Sequence, residues 1–212
     1  MTESMMKGSN MNRNHPGIAS FSALILASGL SERMGRPKPL LMWDQSRTFL
    51  EKIIGEYVDA GCTRVVCTVN SKVLPYCKSI GRWKQVKFLL NEHPEWGRMY
   101  SVKLGLSELG ESEWCFIQNV DNPYIDQNII KGLIRQADPV SWCSPGYHGM
   151  AGHPVLLPKN IIIRILQEQT NDAILQDILN LFPRKNVEMK DDAILRNINT
   201  PEDYNNFLRE KR

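Results

Sequence analysis

Between Ser28 and Lys38 the chain gathers Ser28, Gly29, Ser31, Arg33, Gly35 and Lys38. These residue types suit a phosphate. Glycines let the backbone approach an anion closely, and successive N–H groups then form a concave donor site. Arg33 adds a planar fork and Lys38 a mobile point charge, both for charge-assisted hydrogen bonds. Far along the chain, Asp121 ends an apolar run and is followed by Asn122 and Pro123. A carboxylate placed opposite such a loop is suited to Mg2+, which keeps most of its waters and bridges one or two carboxylates to substrate phosphates. Together these groups would serve phosphoryl chemistry, which needs positioning and charge neutralisation more than covalent help. Each feature also has a plainer reading. Glycines and charges cluster in ordinary turns, and Asp before Asn-Pro often initiates one.

Elements must carry these residues to one place. Short apolar or β-branched runs alternate with longer amphipathic segments, the pattern of a three-layer α/β domain. Strands are expected over 23–27, 64–69, 86–90, 114–118, 140–143 and 154–157, with a weaker one over 185–189. Helices are expected over 48–60, 99–109, 126–136, 171–181 and 201–209. Leu50, Ile53, Ile54, Tyr57 and Val58 fall at helical spacing and should face a sheet. Gly61 is placed to end that helix, and Thr200-Pro201-Glu202 to cap and start the last one. The fold class is therefore a Rossmann-like open, mostly parallel α/β sheet of about seven strands with helices on both faces. In such sheets ligands sit at the carboxyl ends of strands where the strand order reverses. The loops after the first and fourth strands should then line one cleft.

Composition narrows the function classes. With 212 residues, 42% hydrophobic and 23% charged, the chain is ordinary for a globular protein with a core that needs no staples. The net charge of +3, without a dense basic run, argues against nucleic acid as the partner. No apolar stretch reaches the length of a membrane span, and no signal-peptide core is evident. The five cysteines (Cys62, Cys67, Cys77, Cys115 and Cys143) are scattered without a C-x-x-C pair. Buried free thiols and a reducing cytoplasm are the expectation. Residues 1–20 are polar and aperiodic and are expected to be a disordered lead-in to one domain over 21–212.

Four motifs, in order, carry a resemblance. The run Leu24-Ile25-Leu26-Ala27-Ser28-Gly29-Leu30-Ser31-Glu32-Arg33-Met34-Gly35, continuing through Lys38 to Leu41, resembles the LAxGxSxRMGxxKxLL loop of the MobA-like nucleotidyltransferases, above all their molybdenum-cofactor cytidylyltransferase branch. Lys38 is flanked by prolines, so the loop is not a Walker A motif, and no G-x-G-x-x-G is present. Asp121-Asn122-Pro123 resembles the D-x-P motif whose aspartate binds the metal. Gly149-Met150-Ala151-Gly152-His153-Pro154-Val155-Leu156 resembles the G-x-x-G-H-P-V-L element that borders the acceptor. Asn197-Ile198-Asn199-Thr200-Pro201-Glu202-Asp203 resembles the element that opens the last helix, with Asn199 where many cytidylyltransferases have aspartate. A fifth stretch, Asn91 to Ser101, is similar to the N-x-x-x-x-x-G-M-x-x-S loop near base and ribose, but Arg98 intrudes between Gly97 and Met99.

The resemblance implies that Leu26, Ala27, Ser28, Gly29, Ser31, Arg33, Gly35, Lys38, Asn91 and Ser101 bind nucleotide. It implies that Gly152, His153 and Pro154 border the acceptor, and that Asp121 with Asn199 holds Mg2+ as the cofactor. Arg33, Lys38 and Asp121 are the catalytic set. An acceptor phosphate would attack the α-phosphorus of a nucleoside triphosphate and release pyrophosphate. CTP with molybdopterin is the preferred pair, and the product would pass to an acceptor molybdoenzyme or a chaperone. GTP, or a sugar-phosphate acceptor, is the alternative. So is a binding module that holds nucleotide without turnover, since Asn119 and Asn199 stand where acids could supplement Asp121.

Overall fold

The computed structural model describes residues 20–81 and 83–211. The lead-in expected over 1–20 lies outside the described residues except for exposed Ser20. The first half alternates strand and helix: β1 (Ser22–Ala27), α1 (Phe49–Asp59), β2 (Arg64–Val69), α2 (Leu74–Ser79), β3 (Val86–Leu90), α3 (Gly97–Leu109) and β4 (Trp114–Asn119). After α4 (Gln127–Arg135) come β5 (Trp142–Tyr147), the two-residue β6 (Met150–Ala151), β7 (Val155–Pro158), α5 (Lys159–Leu166), α6 (Leu175–Leu179), β8 (Arg184–Glu188) and α7 (Pro201–Glu210).

All eight strands join one sheet in the order β3-β2-β1-β4-β7-β5. β6 continues along the β7 edge of β5, and β8 pairs with the opposite edge. Pairing is parallel from β3 to β4 and between β5 and β8, while β7 runs antiparallel to both of its neighbours. The chain moves outward from β1 through β2 to β3, then returns to place β4 on the other side of β1. That reversal puts the carboxyl ends of β1 and β4 side by side, with Leu26 opposite Asn119.

The central strands alternate between two cores because both faces are covered. Ala23, Ile25, Ala27, Val65, Cys67 and Phe116 pack with Leu50, Ile53, Ile54 and Tyr57 of α1 and with α4 and α7. Leu24, Val66, Cys115 and Ile117 face the other way, onto α3, α5 and α6. Such strands read as continuous apolar runs rather than alternating ones. The expected α1 face is buried except for half-buried Val58, and Gly61 follows the helix end at φ 87°. A reciprocal box between Thr48 and Glu51 opens α1, and another between Thr200 and Asp203 opens α7. Each box satisfies backbone donors that the first turn leaves free.

Two expected elements shift, and two helices lie outside the expectations. The strand expected over 140–143 begins at Trp142 and runs through Pro145 to Tyr147, because hydrogen bonding to β8 and β6 outweighs the poor strand character of Pro145 and Gly146. The helix expected over 171–181 forms only from Leu175 to Leu179. α5 was not expected, since its run of isoleucines favours a strand, yet Ile161, Ile162 and Ile165 pack as one helical face in the second core. α2, which begins Leu74-Pro75, is too short to show a period. The five cysteines are free and buried, and burial pushes the thiols up, Cys143 to about 11 and Cys62 to about 12.

Candidate active site

β1 ends at Ala27, and the chain enters two single 3-10 turns, Glu32–Met34 and Lys38–Leu40. Met34 is only 3% exposed and pins the first turn into the core, which leaves Arg33 beside it in solvent. Gly35 closes that turn at φ 71°, a backbone region that disfavours side chains, with its N–H bonded to the Ser31 and Glu32 carbonyls. Ser31 Oγ accepts the Lys38 N–H at 3.2 Å and ties the two ends of the loop together. Gly29 keeps φ negative and has open space where a Cβ would stand. Its contribution is an unobstructed wall facing the cavity.

Three distant segments meet at Lys38. Its Nζ donates to Asp121 Oδ2 at 3.2 Å and to Asn199 Oδ1 at 2.6 Å. Arg33 Nη2 reaches the same Asn199 oxygen at 3.4 Å. Asn199 is placed by the cap of α7, where Asp203 Oδ2 accepts the N–H groups of Asn199 and Thr200 at 2.8 Å each. Asp121 follows β4, and its carbonyl accepts the Ile198 N–H at 2.8 Å. Asn122 Nδ2 bonds the Ile194 and Arg196 carbonyls at 3.0 and 2.8 Å and fixes the strand end against the segment that leads to α7.

Asp121 Oδ1 is buried and, among the described residues, has no hydrogen-bond partner. An orphaned carboxylate oxygen, on a side chain that shares the Lys38 ammonium with an amide oxygen, fits a hard cation that prefers oxygen ligands. Among the described residues no cluster of three or more His, Cys, Asp or Glu could hold a metal by itself. A cation here would therefore draw most of its ligands from phosphate and water.

Ser28, Asn91 and Ser101 are brought together, but chiefly with one another. Ser28 Oγ and Ser101 Oγ are 3.0 Å apart, and Asn91 Nδ2 donates to them at 3.3 and 2.9 Å. This buried triad locks the start of the loop to β3 and α3. A cavity of about 300 Å³ lies above it, lined by Leu26, Ala27, Ser28, Gly29, Ser31, Lys38, Ser101, Asn119 and Asp121 among others. Asn91 lines a neighbouring cavity of about 370 Å³ instead, together with Leu30, Asn70 and Lys72. Gly35 lines neither cavity, while Arg33 and Asn199 join the site through their contacts at Lys38.

His153 borders a third and larger cavity of about 810 Å³, which also holds Trp96, Arg98 and Ile174. Its Nε2 lies 2.9 Å from Asn119 Nδ2. An amide nitrogen only donates, so Nε2 accepts and the proton of the neutral ring sits on Nδ1. Burial, and then the Arg98 guanidinium, bring the pKa of His153 down to about 4, with Asp121 opposing. The ring is therefore neutral at physiological pH. Gly152 and Pro154 are buried and support the wall rather than line it. The Gly152 N–H bonds the Pro145 carbonyl at 2.8 Å, and a Cβ at Gly152 would run into Ile194.

The sequence from residue 23 to residue 188 matches the MobA-like NTP transferase domain. The chain belongs to that family. This MobA-like transferase is 24% identical to the molybdenum cofactor cytidylyltransferase of Escherichia coli over 189 residues, which cover 88% of this chain and 95% of that protein. It is 31% identical to a probable molybdenum cofactor guanylyltransferase of Bacillus cytotoxicus over 123 residues, 57% of this chain and 59% of the relative. Its fold is similar to that of Rv0371c from Mycobacterium tuberculosis H37Rv, with a TM-score of 0.75, 16% identity, and 90% and 98% of the two chains covered.

In this MobA-like transferase the site also uses residues that motif reading passed over. Asn70 Nδ2 holds the Ser28 and Gly29 carbonyls at 3.1 and 3.2 Å, while its Oδ1 accepts from Lys72 and Val73. The available signal was positional: Ser28, Asn70 and Asn91 are the polar residues that directly follow β1, β2 and β3.

Proposed function

We propose that this chain transfers CMP from CTP to the phosphate of molybdopterin and releases pyrophosphate. The observation that carries the reading is Lys38 Nζ, held between Asp121 and Asn199 at the end of the loop that begins at Ser28. An oxygen of the acceptor phosphate forms the new bond to the α-phosphorus. The bond from that phosphorus to the oxygen bridging the β-phosphate breaks, and pyrophosphate departs with the electron pair. The loop from Ser28 to Lys38 binds the triphosphate, Arg33 clamps its outer phosphates, and Lys38 neutralises charge that develops at the α-phosphate. The acceptor phosphate is already ionised, so no residue need take its proton, and neutral His153 is consistent with that. Asp121 Oδ1, with Asn199 Oδ1 beside it, would hold Mg2+, whose chemistry is to neutralise and orient the triphosphate.

The longer alignment with the cytidylyltransferase and the Gly152-His153-Pro154-Val155 element support CTP and molybdopterin. Asn199, in place of an acidic residue, together with the guanylyltransferase match, favours GTP as the second reading. A thermal-shift panel of CTP, GTP, ATP and UTP with Mg2+ separates them. At one hundred times Kd a bound nucleotide stabilises by about 2.7 kcal/mol. For a chain of this size that raises Tm by about 5–10 °C. A selective shift with CTP is expected, whereas a shift with GTP alone replaces the donor and no shift with any of the four overturns the reading.

A further inference from the structure

The cavity that holds Lys38 and Asp121 and the larger cavity beside it share two residues, Gly97 and Arg98, at the start of α3. Part of the Arg98 side chain is exposed while its head group is crowded, so desolvation pulls its pKa down and the Asp121 charge opposes; among the described residues the guanidinium makes no hydrogen bond or ion pair. The five donors of this guanidinium therefore stand unpaired, among the described residues, at the boundary of the two cavities. The surroundings indicate what they suit. α3 opens on Trp96 with no side-chain cap among the described residues, so the first turn of a thirteen-residue helix presents uncapped N–H groups where the two cavities border each other. His153, on the wall of the larger cavity, has a buried Nδ1 with no partner among the described residues, and its tautomer makes that atom a donor. Of the carboxylates lining the larger cavity, Glu95 is engaged by His93 at 3.0 Å, and Asp172 is the other.

Resting on the nucleotidyl-transfer reading, we infer that Arg98 receives the phosphate of the acceptor and holds it in line with the α-phosphorus of the nucleotide. Two polyanions must meet for the new bond to form, and their repulsion is greatest where the two cavities border each other. A guanidinium fork grips phosphate through two parallel N–H···O bonds, so it fixes direction as well as charge. Neutral His153 lies on the acceptor side and brings no competing charge. Lys38 and Arg33 remain with the triphosphate, which divides the cations between donor and acceptor.

The test uses the full-length chain with Mg2+ and saturating α,β-methylene-CTP, titrated with inorganic phosphate in a calorimeter, and the titration is repeated without the analogue. Arg98→Gln is expected to weaken phosphate binding about ten- to a hundredfold, the scale of a charge-assisted bidentate contact. Arg98→Lys, a point charge without the fork, should fall between the two, and all three proteins should bind the analogue equally. The inference is overturned if Arg98→Gln binds phosphate within about twofold of the parent chain. It is also overturned if the parent binds none, or if the variant loses the analogue instead, which would assign Arg98 to the triphosphate. Failure of the transfer reading shows separately, as a parent chain that neither binds the analogue nor releases pyrophosphate from CTP. The titration without the analogue still reports on Arg98 in that event.

Discussion

Replacing Lys38 by alanine separates a catalytic ammonium from a structural one. In the free protein Nζ sits 3.2 Å from Asp121 Oδ2, with side-chain exposures of 14% and 26%. At an effective dielectric of about 20, that separation corresponds to about 5 kcal/mol of gross attraction. Desolvation and side-chain ordering offset most of it, and a partly exposed pair of this kind nets about 1 kcal/mol. The 2.6 Å bond to Asn199 is also lost, but that amide lies where water can replace the ammonium. Lys38→Ala should therefore lower Tm by only about 2–4 °C. If Lys38 neutralises charge at the α-phosphate, the same change should slow turnover by about a hundred- to a thousandfold, or about 3–4 kcal/mol of transition-state stabilisation. Thermal melts and a coupled pyrophosphate assay, run on one preparation, read both quantities. A variant that keeps kcat within about threefold, or that loses activity only in proportion to unfolding, refutes the assignment.

Two further outcomes follow from the same geometry. Asn70→Ala removes the bonds to the Ser28 and Gly29 carbonyls and should cost about 2–3 kcal/mol of stability while raising KM for the nucleotide more than it lowers kcat. Urea denaturation and steady-state kinetics check it, and an unchanged KM would show that the loop holds its shape unaided. The pKa of His153 falls from 6.5 in the unfolded chain to about 4 in the folded one, so the unfolded state takes up a proton first as pH drops. Stability should thus decline between about pH 6.5 and 4, by about 3 kcal/mol in all. His153→Gln should flatten that acid limb in denaturant titrations, and an identical limb in both proteins would contradict the assignment.

How much of this was legible in the sequence differs from element to element. β1, β2 and β4 could be read because strands covered on both faces become unbroken apolar runs. The caps at Thr200 and Gly61 could be read because their chemistry is local. α5 could not, since Asn160-Ile161-Ile162-Ile163 has strand propensity and only packing against α3 and α6 makes it helical. β5 was placed too early because Pro145 and Gly146 argue for a turn when their sheet partners are unseen. At the site, the loop and Asp121 were visible as residue types, and their convergence with Asn199 on Lys38 appears only in three dimensions. Asn91 and Ser101, marked by motif position, bond each other and Ser28, and Ser101 also lines the cavity at Lys38, a pairing visible only in three dimensions. Arg98 looked like an interruption of a pattern, and what gives it meaning is the pair of cavities that meet beside it.

In the proposed transfer one carboxylate, one ammonium and the loop from Ser28 to Lys38 act on a single nucleotide. Pyrophosphate release from CTP with Mg2+ and molybdopterin, compared between the parent chain and Asp121→Asn, tests it most directly. Turnover by the parent should require both Mg2+ and the acceptor, with a loss of at least about a hundredfold in the variant at unchanged fold. Equal rates in the two proteins, or release by the parent that continues undiminished without Mg2+, would contradict it.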